Sequence, residues 1–304
     1  MRIGNKSFGA LMAVALVSLP GAASAKWVAS WTAAPHAPLG TTGPFAAAAY
    51  ENVTLTQIVR ITEGGDKVRV TFSNRYGPGP LAIGAARIFR IDDAGKEIAG
   101  TSRTLTFSGD ASAVIPRAAP FVTDPVALTV PSLSRLKVEF YLPKPTGPCT
   151  CHLTGQDELA VSPPGNFVGK PFEPVSKAQY RAFLSGVEVD SAKTLGTIVA
   201  YGDSITDGVG STPGKNTRWP DILANRLQAA GKRWAVANQA DRRLTLEWRE
   251  LDGPPVVEPD RRGFGTRLIE RNIRHDLAGD VKLQYPTDGF HAEMSVPLDR
   301  GSPT

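Results

Sequence analysis

Soft and imidazole ligands are scarce in this sequence: its 304 residues hold four histidines, two cysteines and three methionines. A metal reading of Cys149-Thr150-Cys151-His152 needs further ligands that the sequence does not place, so no metal site is expected. The two cysteines are expected to be ordinary thiols, because a disulfide between positions i and i+2 of an extended segment reads as strained. Excess charge of one sign is also small, with a formal net charge of +5. That falls to +3 once Arg2 and Lys6 are removed with residues 1–25, too weak an excess to call for nucleic acid or an anionic membrane as partner. Beyond the N-terminus no run is apolar enough to span a bilayer. Disorder is not the default expectation for a chain with 41% hydrophobic and 21% charged residues.

The N-terminus reads as an export signal. Arg2 and Lys6 form a basic region, Phe8 to Leu19 is mostly apolar, and Ala23-Ser24-Ala25 matches a small-residue cleavage site. Cleavage before Lys26 and a periplasmic or secreted product, with no membrane contact afterwards, are the expectation.

From residue 26 to about 190 the chain reads as strands and turns. Gln57 to Ile61 leads into Gly64-Gly65-Asp66, after which Lys67 to Phe72 alternates polar and apolar residues. Ala82 to Ile91, Val126 to Val130 and Leu136 to Leu142 continue in the same style. This pattern predicts an antiparallel β-sandwich. The pattern changes near Thr194. Leu195 to Tyr201 reads as a buried strand, Trp219 to Ala230 as a helix with Ile222, Leu223 and Leu227 on one face, Gly231 as its stop, and Trp234 to Ala237 as a second strand. Strand, helix, strand opens a parallel α/β sheet. Residues 191–239 are assigned to that unit. Residues 241–304 then carry 22 charged residues in 64 positions, twice the density of the preceding chain, which sets a boundary at about Gln239 and a short α+β tail over 240–304.

Between the first strand and the helix stands Gly202-Asp203-Ser204-Ile205-Thr206-Asp207-Gly208. A hydrolytic serine must leave a strand edge toward a helix N-terminus, flanked by small residues that let a carbonyl approach the backbone. With Val199-Ala200-Tyr201 in front, the block resembles the first block of the SGNH/GDSL ester hydrolases. Trp27 to Pro35, Phe72-Ser73-Asn74-Arg75-Tyr76-Gly77, His152-Leu153-Thr154-Gly155-Gln156, Arg218-Trp219-Pro220-Asp221 and Val236-Ala237-Asn238-Gln239 extend the likeness to a secreted, xylan-esterase-like branch with an N-terminal β-domain. The resemblance implies a flavodoxin-like α/β hydrolase segment with Ser204 as nucleophile and Gly202, Asp203, Asp207 and Gly208 as supporting motif residues. It further implies a histidine oriented by an aspartate three residues earlier, and an oxyanion held by the serine N–H, a glycine and an asparagine from later blocks. The expected substrates are short acyl, chiefly acetyl, esters of small molecules or polysaccharides, and no cofactor is implied.

The likeness stops after Gln239. Ala240 stands where the family has glycine, Asp241-Arg242-Arg243-Leu244 departs, and no Gly-x-Asn-Asp follows. The α/β segment is therefore expected to be incomplete and its activity impaired. Asp288 and His291 have the spacing of the distal Asp-x-x-His, but Asp288-Gly289 between two alternating runs favours a hairpin turn. His36 and His152 are assigned to the β-domain, and His275 to a helix end. The tail has its own resemblance: Leu244 to Glu250, Gly253-Pro254-Pro255 and Arg262 to Ile269 are similar to the end of the ATP-binding domain of an HWE-type sensor histidine kinase, in which Gly263 and Gly265 would lie in a loop near nucleotide phosphates. A hydrolase front joined to a kinase end implies a gene fusion or a frameshift. Three readings follow: an ester hydrolase, a carbohydrate-binding β-domain carrying an inert remnant, and a nucleotide-binding remnant.

Overall fold

The computed structural model describes residues 26–37, 48–239, 243–249, 263–276, 280–286 and 289–297. The export-signal region, Ala240 and Asp288 lie outside the described residues. The first strands are β1 (Trp27–Thr32), β2 (Val53–Arg60), β3 (Gly65–Ser73), β4 (Leu81–Ile83), β5 (Ala85–Ile91) and β6 (Arg103–Thr104). Next come β7 (Ala113–Ile115), β8 (Pro120–Val122), β9 (Val126–Val130), β10 (Arg135–Leu142) and β11 (Cys151–His152). The β-rich part closes with β12 (Leu159–Pro164), β13 (Ser176–Ala178), β14 (Arg181–Ala182) and β15 (Leu184–Asp190).

Two antiparallel sheets face each other. One runs β1-β15-β3-β8, with β9 also on β3, and the other runs β13-β12-β2-β10-β5-β6. The alternation seen in the sequence sets their inner faces. Val68, Val70 and Phe72 of β3 meet Leu55 and Val59 of β2 and Leu136, Val138 and Phe140 of β10 in one buried cluster. Phe72 and Phe140 cross this core edge to face, 5.1 Å between ring centres. The run from Ala82 to Ile91, read as a single strand, divides at Gly84 into β4 and β5, which join different sheets. Tyr141 explains the break: a Cβ on Gly84 would stand 2.8 Å from its ring.

Cys149 and Cys151 are joined in a disulfide, with their Cα atoms 5.4 Å apart. This corrects the expectation of two thiols. Alternation separates neighbours i and i+1, whereas i and i+2 share a face, and 5.4 Å lies within the ordinary range for a bridge.

The chain then enters β16 (Gly196–Ala200), the short helix α1 (Ser204–Asp207), α2 (Trp219–Ala229) and β17 (Trp234–Asn238). β16 and β17 pair in parallel, Gly196 opposite Trp234 through Ala200 opposite Asn238, as strand, helix, strand requires. Gly231 ends α2 at φ +65, and the buried line of the helix is Pro220, Asp221 and Ala224, with Leu223 and Leu227 packed beside it. Ile222 is only half-buried, so the apolar face is turned slightly from the one read off the sequence.

Two strands cannot cover their own faces. The sandwich covers one of them. Thr62 Oγ1 accepts from Val236 N at 2.9 Å, Thr197 Oγ1 donates to Ala29 O at 3.1 Å, and Thr32 Oγ1 donates to Asn238 O at 2.9 Å. The wholly buried carboxylate of Glu63 receives Gln228 Nε2 at 2.8 Å and pairs with Arg233. Leu195, Val199, Tyr201, Ile205 and Val209 remain exposed.

In the tail, β18 (Arg243–Arg249) is followed by α3 (Phe264–Arg271), a π-helical turn over Asn272–Asp276, β19 (Asp280–Gln284) and β20 (His291–Pro297). β19 and β20 are antiparallel neighbours with Gln284 opposite His291, the hairpin favoured by Asp-Gly.

Candidate functional site

Ser204 is the first residue of α1, and Tyr201, Gly202 and Asp203 connect it to the end of β16 at Ala200. Asp203 caps the helix: its Oδ1 accepts from Ile205 N at 3.0 Å, which satisfies one of the donors that a helix start leaves open. Asp203 therefore shapes the turn. Ser204 is half-buried, and among the described residues its Oγ makes no hydrogen bond.

The turn is held from several directions. Asn238 Nδ2, at the end of β17, donates to Thr206 O at 2.9 Å, and Trp219 Nε1, at the start of α2, donates to Thr206 Oγ1 at 3.1 Å. Gly202 lies so close to Thr206 that a Cβ there would overlap the threonine hydroxyl. Gly208 ends the helix at φ +89, a conformation open to glycine, and its α-carbon lies against the Arg218 side chain. Arg218 in turn forms two hydrogen bonds to Asp221, at 2.7 and 3.2 Å. The motif glycines and Asp203 thus have a backbone explanation.

Asp207 has a different partner. Its Oδ1 lies 2.8 Å from His152 Nε2, and both side chains are buried. The other ring nitrogen, Nδ1, lies 2.8 Å from Ala34 O, and the ring stacks on His36 at 5.1 Å between centres. Both nitrogens of His152 face oxygen acceptors, so neither is left for Ser204. The pair positions the end of α1 against the β-domain. Gln156 extends the same grip: its Nε2 donates to Gly208 O at 2.9 Å, while its own carbonyl receives Gly214 N at 2.8 Å. Sequence reasoning assigned His152 to the β-domain and missed this contact. The presence of His152 and Gln156 in one short motif was the available signal.

His291 does not join this group. It begins β20, and its Nδ1 lies 3.1 Å from Gln284 Oε1 on the neighbouring strand. Gly263 precedes α3 as its cap and Gly265 lies in the first helical turn, so the segment read as a loop opens a helix. Among the described residues no cluster of three or more histidine, cysteine, aspartate or glutamate side chains could hold a metal ion, and no helix is long and apolar enough to cross a membrane.

Residues 198–256 match the family model described as GDSL-like Lipase/Acylhydrolase. The match contains the end of β16, Ser204, α2 and β17, and it supports the likeness of this block to the SGNH/GDSL hydrolases. The chain is also similar to curated proteins of another kind. It is 26% identical over 77 residues to the Blue-light-activated histidine kinase of Brucella ovis and of Brucella abortus (strain 2308), and 30% identical over 77 residues to that of Brucella anthropi. Each alignment takes in 25% of this chain and spans 16% of the relative's length.

Proposed function

We propose that this protein is an SGNH/GDSL-type serine ester hydrolase that acts on short acyl esters, acetyl esters of carbohydrates foremost, with Ser204 as its nucleophile. The observation that carries the proposal is the setting of Ser204. Its hydroxyl stands at the exit of a parallel strand, half-buried and without an intramolecular hydrogen bond among the described residues, inside the segment that matches the hydrolase family model. In such a reaction Oγ attacks the ester carbonyl, the alcohol leaves, and water releases the acid from the acyl-enzyme. The chemistry needs no cofactor.

A serine hydroxyl is a weak nucleophile without a base. Among the described residues no histidine hydrogen-bonds Ser204, and His152 is engaged on both ring nitrogens. The turnover we infer is therefore low, because Ser204 attacks without a positioned base. The basic, apolar and small-residue order of the N-terminus supports export as the setting. The kinase similarity enters no part of this function, because it spans a sixth of those proteins or less.

Hydrolysis of a short chromogenic acetyl ester tests the proposal, with Ser204→Ala and His291→Ala measured beside the wild type. Turnover lost in Ser204→Ala and retained in His291→Ala is the expected result. If all three sit at the background rate, the second reading takes over, a carbohydrate-binding β-domain with an inert segment attached. One observation favours that reading: a groove of about 390 Å³ on the sandwich, lined by polar side chains including Arg87, Lys137, Glu139 and Lys170 with Phe172 among them. Retention of the full chain on an insoluble acetylated xylan, unaffected by Ser204→Ala, is what that reading requires.

A further inference from the structure

Where the sandwich meets the loop that follows α1, a small cavity is enclosed by Trp31, Arg60, Gln156, Arg181 and Arg218, with Ser211, from that loop, in its wall. Its volume is about 10 Å³, room for roughly one water-sized species. Arg181 is 3% exposed, and its guanidinium lies beside the Trp31 ring, 5.5 Å from its centre. Its Nη2 donates to Gly155 O at 2.9 Å, while Nε and Nη1, both buried, find no acceptor among the described residues. Arg60 is in the same position: Nη2 donates to Asn225 Oδ1 at 2.7 Å and the buried Nη1 has no acceptor among the described residues.

Charge is unbalanced around this space. Arg60, Arg135, Arg181 and Arg218 converge on it or its rim, against the carboxylates of Asp157 and Asp221. Asp221 is taken up by both hydrogen bonds from Arg218, and Asp157 lies 3.9 Å from Arg135. Burial pushes the Arg181 guanidinium down to about 10, with Asp157 opposing and Arg218 adding to the effect. Burial also lowers Arg60, with Asp221 opposing and Arg218 and Arg135 reinforcing it. Buried donors without acceptors and buried cations without counter-ions are both costly, and one ligand removes both costs.

We propose that this cavity binds one small monovalent anion of the halide class, chloride in ordinary media, with Nε and Nη1 of Arg181 and Nη1 of Arg60 as its donors. A carboxylate or phosphate is too large for the space. A water molecule fits, can accept two of the donors and can donate to the buried Gln156 Oε1, which has no partner among the described residues, but it leaves the positive charge uncompensated. The bound anion bridges Arg60 of β2 and Arg181 of β14, beneath the loop that follows α1.

Thermal unfolding of the purified full chain in sodium chloride, compared with sodium gluconate at equal ionic strength, tests the site. A ligand of the folded state raises the midpoint as the logarithm of 1 + [ligand]/Kd, steep near Kd and logarithmic above it, whereas a general salt effect rises about linearly and does not depend on whether the anion fits the site. The wild type is expected to show the logarithmic response to chloride and to bromide and none to gluconate. Arg181→Met is expected to abolish it. Because that variant empties a buried position and can fail to fold, Arg60→Gln at a half-buried position is measured as well. It is expected to raise the chloride dissociation constant fitted to that rise about tenfold or more, the loss of one charge-assisted donor. Coincident wild-type midpoints in chloride and gluconate would mean that water fills the cavity and would overturn the proposal. So would a chloride response left intact in Arg60→Gln, or a bromide-grown crystal with no anomalous peak at Arg181.

Discussion

Removing the imidazole of His152 is the sharpest test of how the β-domain holds the nucleophile turn. His152→Ala deletes the hydrogen bonds to Ala34 O and to Asp207 Oδ1, each 2.8 Å, and the ring stacked on His36. The side chains of the pair are 6% and 11% exposed, so solvent screens their attraction little. A charge-assisted hydrogen bond contributes about 1.5–3 kcal/mol, and orphaning one partner of a buried pair costs about 3–5 kcal/mol. The expected loss in unfolding free energy is therefore about 3–5 kcal/mol. Asp207→Asn keeps an oxygen in place for the Nε2–H and is expected to cost about 1–2 kcal/mol. Urea unfolding followed by tryptophan fluorescence measures both. The double variant His152→Ala/Asp207→Ala no longer buries an orphaned carboxylate, so it should cost less than the sum of the two alanine variants by at least about 1.5 kcal/mol. A His152→Ala cost under about 1 kcal/mol, or strict additivity in the double variant, would refute the reasoning.

Other outcomes follow from single contacts. Glu63→Ala leaves Gln228 and Arg233 without their shared carboxylate and should cost about 3 kcal/mol, with amide exchange rising first in α2; unchanged α2 protection would contradict the account. Gly208→Ala meets both a left-handed backbone and the Arg218 side chain, and should cost about 1–3 kcal/mol, whereas Gly210→Ala, at φ +85 with open space around it, should cost only about 1 kcal/mol; equal costs would show that the Arg218 contact is irrelevant. Hydrogen bonds from Thr106, Gly109 and Ser108 hold the Asp124 carboxyl below the usual carboxylate range. Its contribution to stability is complete above the unfolded-state pKa and lost as pH falls through the folded-state value, so Asp124→Asn should flatten the acid limb of the stability profile.

The sandwich was legible because polar–apolar alternation is local: Lys67 to Phe72 and Leu136 to Leu142 announce both strand and inner face, and they occupy β3 and β10. The parallel unit was legible too, since a short apolar run, a proline-started helix and a glycine stop occur in order. What the sequence hid is what depends on distant pairs. His152 and Asp207 lie 55 positions apart, and nothing in either neighbourhood marks one as the partner of the other. Arg60, Arg181 and Arg218 come from two strands and a loop, and each alone reads as an ordinary surface arginine. The thiol expectation failed for a simpler reason: strand alternation was applied to the wrong spacing. The kinase resemblance puts Gly263 and Gly265 in a loop, whereas Gly263 caps α3 and Gly265 lies in its first turn.

The account rests most heavily on Ser204 being an accessible nucleophile, and covalent labelling tests that directly. The full chain is incubated with a fluorophosphonate, which reacts with activated serines, and the adduct is mapped by peptide mass spectrometry. A single adduct on the peptide containing Ser204, slower to form than in efficient serine hydrolases and absent in Ser204→Ala, is the predicted result. An unlabelled Ser204 after exhaustive reaction, or equal labelling of scattered surface serines, would contradict the assignment of Ser204 as the catalytic residue.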